Sequence, residues 1–411
     1  NPAQTTVQPP NPTCAQVLGW RSVSALFGAL GVGLIFAMGR AMFGRVAGLL
    51  AGSLLLMEGL WFVEARIGMN DVFLTSFIMA AYFAFFMYLR GPAVSTRRYL
   101  WLCGLALGLA VATKWSAAYS LGVIGVLVVA REAWDYYRAR QDELTFRLVL
   151  LGGGAVVGGL LALMSGRSLV IGVGVGAVLT AAAIVLVETL RQHNGPHRLV
   201  LLKQAAVIVG AFAVLPGVIY LAAYSQFFAM GHSWDQFVEL QKQMYWYHSR
   251  LKATHTYASR WWEWPLMLQP VWYWVDYNVA PNKIANIFGM GNPLIFWSFL
   301  PAAAFALWDW SESRFRTMAL AVILLGFFGQ WLPWMLSPRV SFLYHMLPSV
   351  PFGILAIAFG LSRLRATRMV VAAYMLPVLV AFIYFYPLYS GYPVSKDYTE
   401  QHYWLEKWKP R

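Results

Sequence analysis

Twelve runs of apolar residues, all but one of them 17 to 22 residues long, decide what this chain can fold into: 22–38, 46–63, 71–90, 99–116, 117–131, 148–165, 168–189, 204–224, 291–309, 317–336, 342–360 and 369–389. A segment in hydrocarbon must satisfy every backbone N–H and C=O internally. About 20 residues of helix cover the apolar thickness of a bilayer. Each run is therefore expected to be a transmembrane helix. Charged residues are 12% of the chain, against roughly 25% in a soluble domain. The fold class that follows is an all-α polytopic membrane protein with about 12 spans. The fourth and fifth runs meet at Lys114-Trp115-Ser116, which implies a tight hairpin or one broken element. The pair 148–189 is rich in Gly, Ala, Val and Leu, whose small members let helices approach closely, and is expected to be a packing hairpin.

Seventeen of the 31 Lys and Arg fall in six short connections, from Arg40 and Arg45 through Arg131, Arg138 and Arg140 to Arg363, Arg365 and Arg368. By the positive-inside bias that side is cytoplasmic. The expected organisation is then 1–21 as the end of a first extracytoplasmic loop, 22–224 as an N-terminal membrane region and 225–290 as a large extracytoplasmic loop. Residues 291–389 form a C-terminal membrane region and 390–411 an extracytoplasmic tail. The net charge of +14 follows from this loop placement and calls for no nucleic acid, since no motif of that kind is present. There is likewise no P-loop, no GxSxG elbow and no HExxH. Two cysteines, Cys14 and Cys103, support neither a disulfide framework nor a zinc site.

Four groups on the outer side could carry chemistry. Glu64, Arg66 and Asp71 lie between the second and third spans, either as a structural ion pair or as an arginine fork offered to phosphate with a carboxylate to orient it. Lys114 and Trp115 are either an interfacial anchor or part of a site. The 66-residue interval 225–290 holds His248, Lys252, His255, Tyr257, Arg260, Trp261, Trp262, Trp264 and Pro265. Its stretch Trp234 to Tyr247 reads as an interfacial amphipathic helix. Two His and an Arg among three Trp suit sugar and phosphate better. Tyr344 and His345 sit just inside a span after the turn Ser337-Pro338-Arg339.

At these four groups the chain resembles the protein O-mannosyltransferase family, of the GT-C class of polyprenyl-phosphate-sugar-dependent glycosyltransferases. The resembling segments are Ala65-Arg66 through Asp71-Val72-Phe73, Thr113-Lys114-Trp115-Ser116-Ala117-Ala118-Tyr119, Tyr247-His248 through Trp264-Pro265 followed by Pro270-Val271-Trp272-Tyr273, and Phe342-Leu343-Tyr344-His345-Met346-Leu347-Pro348. The third is the most specific. The resemblance implies a GT-C-type helical bundle and inverting transfer of mannose from polyprenyl-phosphate-mannose to Ser or Thr of an exported polypeptide. That acceptor would arrive during Sec translocation, at the outer face of a bacterial plasma membrane. It implies Arg66 on the donor phosphate or orienting a base, with Asp71 as its support. Lys114 and His345 would contact phosphate. Glu64, Trp115, His248, His255, Tyr257, Arg260, Trp261, Trp262, Trp264 and Tyr344 would complete the donor and acceptor site.

The family's catalytic acidic pair belongs to the first outer loop, so the resemblance places it upstream of Asn1 and implies that the chain as given is truncated and inactive. Gln269 stands where many relatives carry Arg, and the 148–189 hairpin is additional to the family's span plan. The scheme needs no cofactor and no metal, and leaves a divalent ion open. The competing functions are a related GT-C enzyme glycosylating a lipid or cell-wall polymer, a polyprenol-phosphate binding or transport protein, and a membrane scaffold.

Overall fold

The computed structural model describes residues 14–140, 197–250, 253–363 and 368–410. The expected hairpin 148–189, residues 1–13 and Lys252 lie outside these. Eight helices among the described residues are long and apolar enough to cross a membrane, and a bent pair makes a ninth crossing. The shorter apolar helix Arg98–Thr113 is the counterpart of the expected fourth span.

The chain opens with α1 (Cys14–Phe43), α2 (Arg45–Leu56), α3 (Gly59–Ile67) and α4 (Asn70–Leu89). The expected continuous span 46–63 is corrected here, because α2 and α3 are separate helices set at 59°. Glu58 causes the break. Its carboxylate caps α3, accepting the Leu60 N–H at 3.1 Å and the Trp61 N–H at 2.6 Å, and takes a third bond from the Asn292 N–H at 3.2 Å. An acid can be fully buried only with such partners. α3 then ends on Gly68, whose left-handed φ of 79° is the conformation glycine supplies most cheaply. Two residues later α4 begins, so Glu64 and Asp71 sit on either side of a sharp turn.

Next come α5 (Arg98–Thr113) and α6 (Ala118–Arg140), joined by extended Lys114 and one 3-10 turn, Trp115–Ala117. α7 (His197–Val209) continues through a π-helical turn, Gly210–Val214, into α8 (Leu215–Ala222). Here α5 comes close to the π turn. A Cβ on Gly104 would lie 1.9 Å from the Ala211 carbonyl oxygen, so only glycine fits. At the cytoplasmic end expected from the charge pattern, Arg131 donates to the Tyr88 carbonyl at 2.6 Å and to that of Gly91. Buried Glu132 accepts from Tyr88 and Arg97 at 2.7 and 3.1 Å.

The segment 225–290 contains α9 (Trp234–Arg250), which covers the expected amphipathic stretch, and strands β1 (Val271–Asp276) and β2 (Lys283–Gly289). Four further helices follow: α10 (Pro293–Glu312), α11 (Met318–Trp331), α12 (Val350–Arg363) and α13 (Arg368–Ser390). The tail adds β3 (Val394–Ser395). The strands form an antiparallel sheet in the order β1-β2-β3, with Val271 opposite Gly289 and Lys283 opposite Ser395. This small sheet, absent from the sequence expectation of an all-α fold, ties the tail to the large segment. The bundle itself is helical as expected. Its core gathers Tyr82, Phe85, Phe296, Phe299, Phe327 and Phe352. The segment Leu343–Arg363 is central, 83% buried, whereas Arg368–Ser390 is peripheral at 17%. Leu26, Leu30, Val218, Leu376 and Ile383 face outward, as lipid-contacting residues do.

Candidate active site

Asp71, in the first turn of α4, is 1% exposed and is held by Lys114, whose Nζ lies 2.8 Å from Oδ1. Lys114 also stands over the Tyr344 ring, 5.5 Å from its centroid. The other Asp71 oxygen has no protein partner among the described residues. A buried carboxylate oxygen left without a donor is costly unless a ligand or solvent serves it. Around the pair is a cleft lined by Ser116, Tyr119, Gln330, Trp334, His345 and Pro348.

The cleft is built by irregular backbone at the ends of helices. His345 lies in a 3-10 turn, Leu343–Ser349, that leads into α12. Its Nδ1 accepts the Phe342 N–H at 3.0 Å, which fixes the ring. Trp264 stacks on that ring at 6.0 Å and 27°, and Trp334 packs at 4.1 Å. On the far side of Lys114, the Trp115 indole donates to the Tyr220 hydroxyl at 2.8 Å, and Tyr220 donates to Gln241 at 2.5 Å. These bonds draw α9 against the Lys114 turn and bring His248 to within 6.2 Å of the Trp115 ring. His248 is in turn hydrogen-bonded to Arg339. Burial, then Arg339 and Lys114, pull the His248 imidazole below its ordinary value of 6.5. It is therefore a neutral acceptor for the guanidinium at neutral pH.

A lowered histidine pKa means that the unfolded chain binds more protons than the folded one just below pH 6.5, so acidification through that range weakens the native arrangement. Activity is expected to hold through 6.5 and to fall further into acid, where His248 becomes an imidazolium facing Arg339 and Lys114. Initial rates between pH 5 and 8 for wild type and His248→Gln check this. An identical acid limb in both proteins would assign the fall to another group.

Glu64, fully buried on α3, accepts from the Tyr273 hydroxyl at 2.5 Å and keeps one unpartnered oxygen. Burial and the Glu64 charge push the Tyr273 phenol well above its ordinary range, so it stays the donor. Arg66 does not join this cluster. The expected support of Arg66 by Asp71 is corrected: Asp71 is taken by Lys114, and the Arg66 Nη1 donates to the Tyr389 carbonyl at 3.3 Å. On a short helix Glu64 and Arg66 project about 200° apart, so the two cannot face one cleft.

Of the aromatic block, Trp264 is fully buried and supports His345 rather than offering a surface. Trp261 receives the Trp331 indole N–H on its carbonyl at 2.7 Å. Trp262 is 44% exposed, and Arg260 and His255 are also exposed. The His255 Nδ1 accepts the Tyr257 N–H at 3.1 Å and its ring packs edge-on against Phe342. Tyr257 is buried beside Trp272. Gln269 is buried with its side-chain amide nitrogen unpartnered. Sequence reasoning left Arg339, Tyr273, Gln330 and Tyr119 out of the site. Tyr119 and Tyr273 end two of the resembling segments, and Arg339 carried a signal as an arginine between a proline and the span that holds His345.

Among the described residues no group of three or more His, Cys, Asp or Glu could hold a metal ion. Lys114 and His345 line the cleft beside the buried Asp71, and the hydrogen-bonded Arg339–His248 pair lies close enough for its charge to act on His345. The arrangement can stabilise a departing phosphate.

Two family models match the chain. Dolichyl-phosphate-mannose-protein mannosyltransferase matches residues 4–149, and the C-terminal four TMM region of protein-O-mannosyltransferase matches 233–408. The polyprenol-phosphate-mannose–protein mannosyltransferase of Mycobacterium tuberculosis is 26% identical, over 95% of this chain and 77% of its own length. That of Corynebacterium glutamicum is 23% identical over the same shares. Among solved structures, the S. cerevisiae protein O-mannosyltransferase Pmt1-Pmt2 complex bound to the sugar donor aligns with a TM-score of 0.68 at 14% identity. It covers 95% of this chain and 81% of that one. That likeness shows the fold, a GT-C-type transmembrane bundle. With both halves matched by models of one family and relatives aligned along nearly the whole chain, the chain belongs to the protein O-mannosyltransferase family.

Proposed function

We propose that the protein transfers mannose from polyprenyl-phosphate-mannose to Ser or Thr hydroxyls of polypeptides. The observation that carries this reading is the cleft in which Lys114 and His345 stand beside the buried Asp71, with the Arg339–His248 pair nearby. A base removes the acceptor hydroxyl proton. The oxygen then attacks the anomeric carbon from the face opposite the phosphate, and the sugar–phosphate C–O bond breaks with its electron pair leaving on phosphate. The acceptor oxygen is a poor nucleophile unaided, and the phosphate leaves as an anion that cations must meet. Lys114 and Arg339 supply that charge, with Lys114 aimed by Asp71. Exposed His255, Arg260 and Trp262 lie where acceptor chain can reach them. The cleft is proposed to open on the extracytoplasmic face of a bacterial plasma membrane, where an emerging, translocating polypeptide is still unfolded. No metal is invoked.

The test is transfer of label from polyprenyl-phosphate-[14C]mannose to a Ser/Thr-rich peptide by membranes holding the protein. Label released from the peptide by mild alkali is the expected result, because O-linked sugar is lost by β-elimination. Label appearing only in lipid would move the acceptor to a lipid or polymer. Absence of turnover with the donor bound would leave a binding protein.

A further inference from the structure

The tail folds back over the outer segment and holds it at several points. The Tyr384 hydroxyl donates to the Gln401 carbonyl at 3.0 Å, and β3 extends the sheet. Trp408, 2% exposed, donates its indole N–H to the Met267 carbonyl at 2.8 Å. Lys407 places Nζ 2.7 Å from Oε1 of Glu263, whose other oxygen accepts the Arg260 N–H at 2.7 Å. Glu263 is buried, so its two oxygens depend on these two donors. It sits within the turn Trp261–Glu263, and the next residue, Trp264, carries the ring stacked on His345.

We propose that Lys407 is a positioning residue for the phosphate cleft, acting through Glu263 and the Trp264 ring on His345. The proposal rests on the mannosyl-transfer reading for its kinetic readout only. Without the Lys407 ammonium, one oxygen of a buried carboxylate loses its donor. Glu263 then turns towards water and gives up the Arg260 N–H, which loosens the turn closed by the Glu263 N–H on the Arg260 carbonyl. Trp264 loses its fixed height above His345, and the imidazole loses the wall that holds its ring in the cleft. A group misplaced by an ångström weakens its contact disproportionately. Lys407 pairs with Glu263 and is not among the residues lining the cleft, so its route to the cleft runs through Glu263, Trp264 and His345.

The experiment compares Lys407→Met and Lys407→Arg in wild-type and His345→Ala backgrounds, measuring kcat and the KM of donor and of acceptor peptide separately. Lys407→Met is expected to raise the donor KM about 10-fold with the acceptor KM unchanged. Arginine, which keeps the ion pair, restores it. In the His345→Ala background Lys407→Met adds nothing, since coupled residues are not additive. Equal losses in both backgrounds, or a change confined to the acceptor KM, would overturn the proposal. Binding of polyprenyl phosphate without sugar, followed by tryptophan fluorescence, separates the two readings. Weaker binding by Lys407→Met in a protein that never transfers mannose would keep the positioning role of Lys407 and discard the reaction. Unchanged binding would discard that role. Thermal unfolding in detergent checks that each variant is folded.

Discussion

Replacing Lys114 with methionine is expected to lower mannose transfer by roughly 100- to 1,000-fold, the loss associated with removing one preorganised group from a developing anion. The same change strips Asp71 of its only protein partner among the described residues. Asp71 is 1% exposed, and breaking a buried ion pair from one side costs about 3–5 kcal/mol. Lys114 keeps 23% of its side chain in contact with the surroundings, which moves the expectation to the lower end of that range. Lost activity and lost stability would therefore arrive together, and the single variant cannot apportion them. Lys114→Met with Asp71→Asn can. Asparagine is nearly isosteric and neutral, so the double variant is expected to regain most of the thermal stability while transfer stays low. Thermal unfolding in detergent and the radiolabel assay read the two quantities separately. A double variant that recovers transfer as well would reduce Lys114 to a structural counter-ion.

That pairing also marks where the sequence stopped being legible. Ionisable residues at the ends of apolar runs are expensive and stand out, so Asp71, Lys114 and His345 could be singled out without coordinates. Their partners could not. Asp71 seemed to belong with Arg66, five residues earlier, but Gly68 ends α3 and turns the chain, sending Arg66 towards Tyr389 and leaving Asp71 to a lysine 43 residues further on. Glu58 lay inside an apparently continuous run. Its full burial there draws on the Asn292 N–H, from the other half of the protein, which no local pattern announces. The amphipathic face of α9 followed from helical period. The β3 pairing and the Lys407–Glu263 contact join segments more than 100 residues apart and leave no local trace. Trp264 had the composition of a sugar-binding residue, yet its ring serves His345 from below the surface.

Arg339 is the residue whose loss tests whether the cleft works as a unit. It lies in the connection between α11 and the His345 turn, hydrogen-bonded to His248 from α9. Tyr119, Tyr344 and His345 all feel its charge. A guanidinium beside a neutral imidazole keeps its full charge and most of its donors for a ligand. Arg339→Ala is therefore expected to reduce kcat/KM for the lipid-linked donor about 100-fold, the scale of a charge-assisted contact to phosphate. Arg339→Lys is expected to recover only part of it, because an ammonium cannot reach both His248 and a phosphate with one planar fork. His248→Ala leaves the arginine charge in place and frees its orientation, so its loss should be smaller, about 10-fold. The order matters more than the magnitudes. If His248→Ala proves the more damaging of the two, the histidine touches substrate directly and Arg339 is only its support.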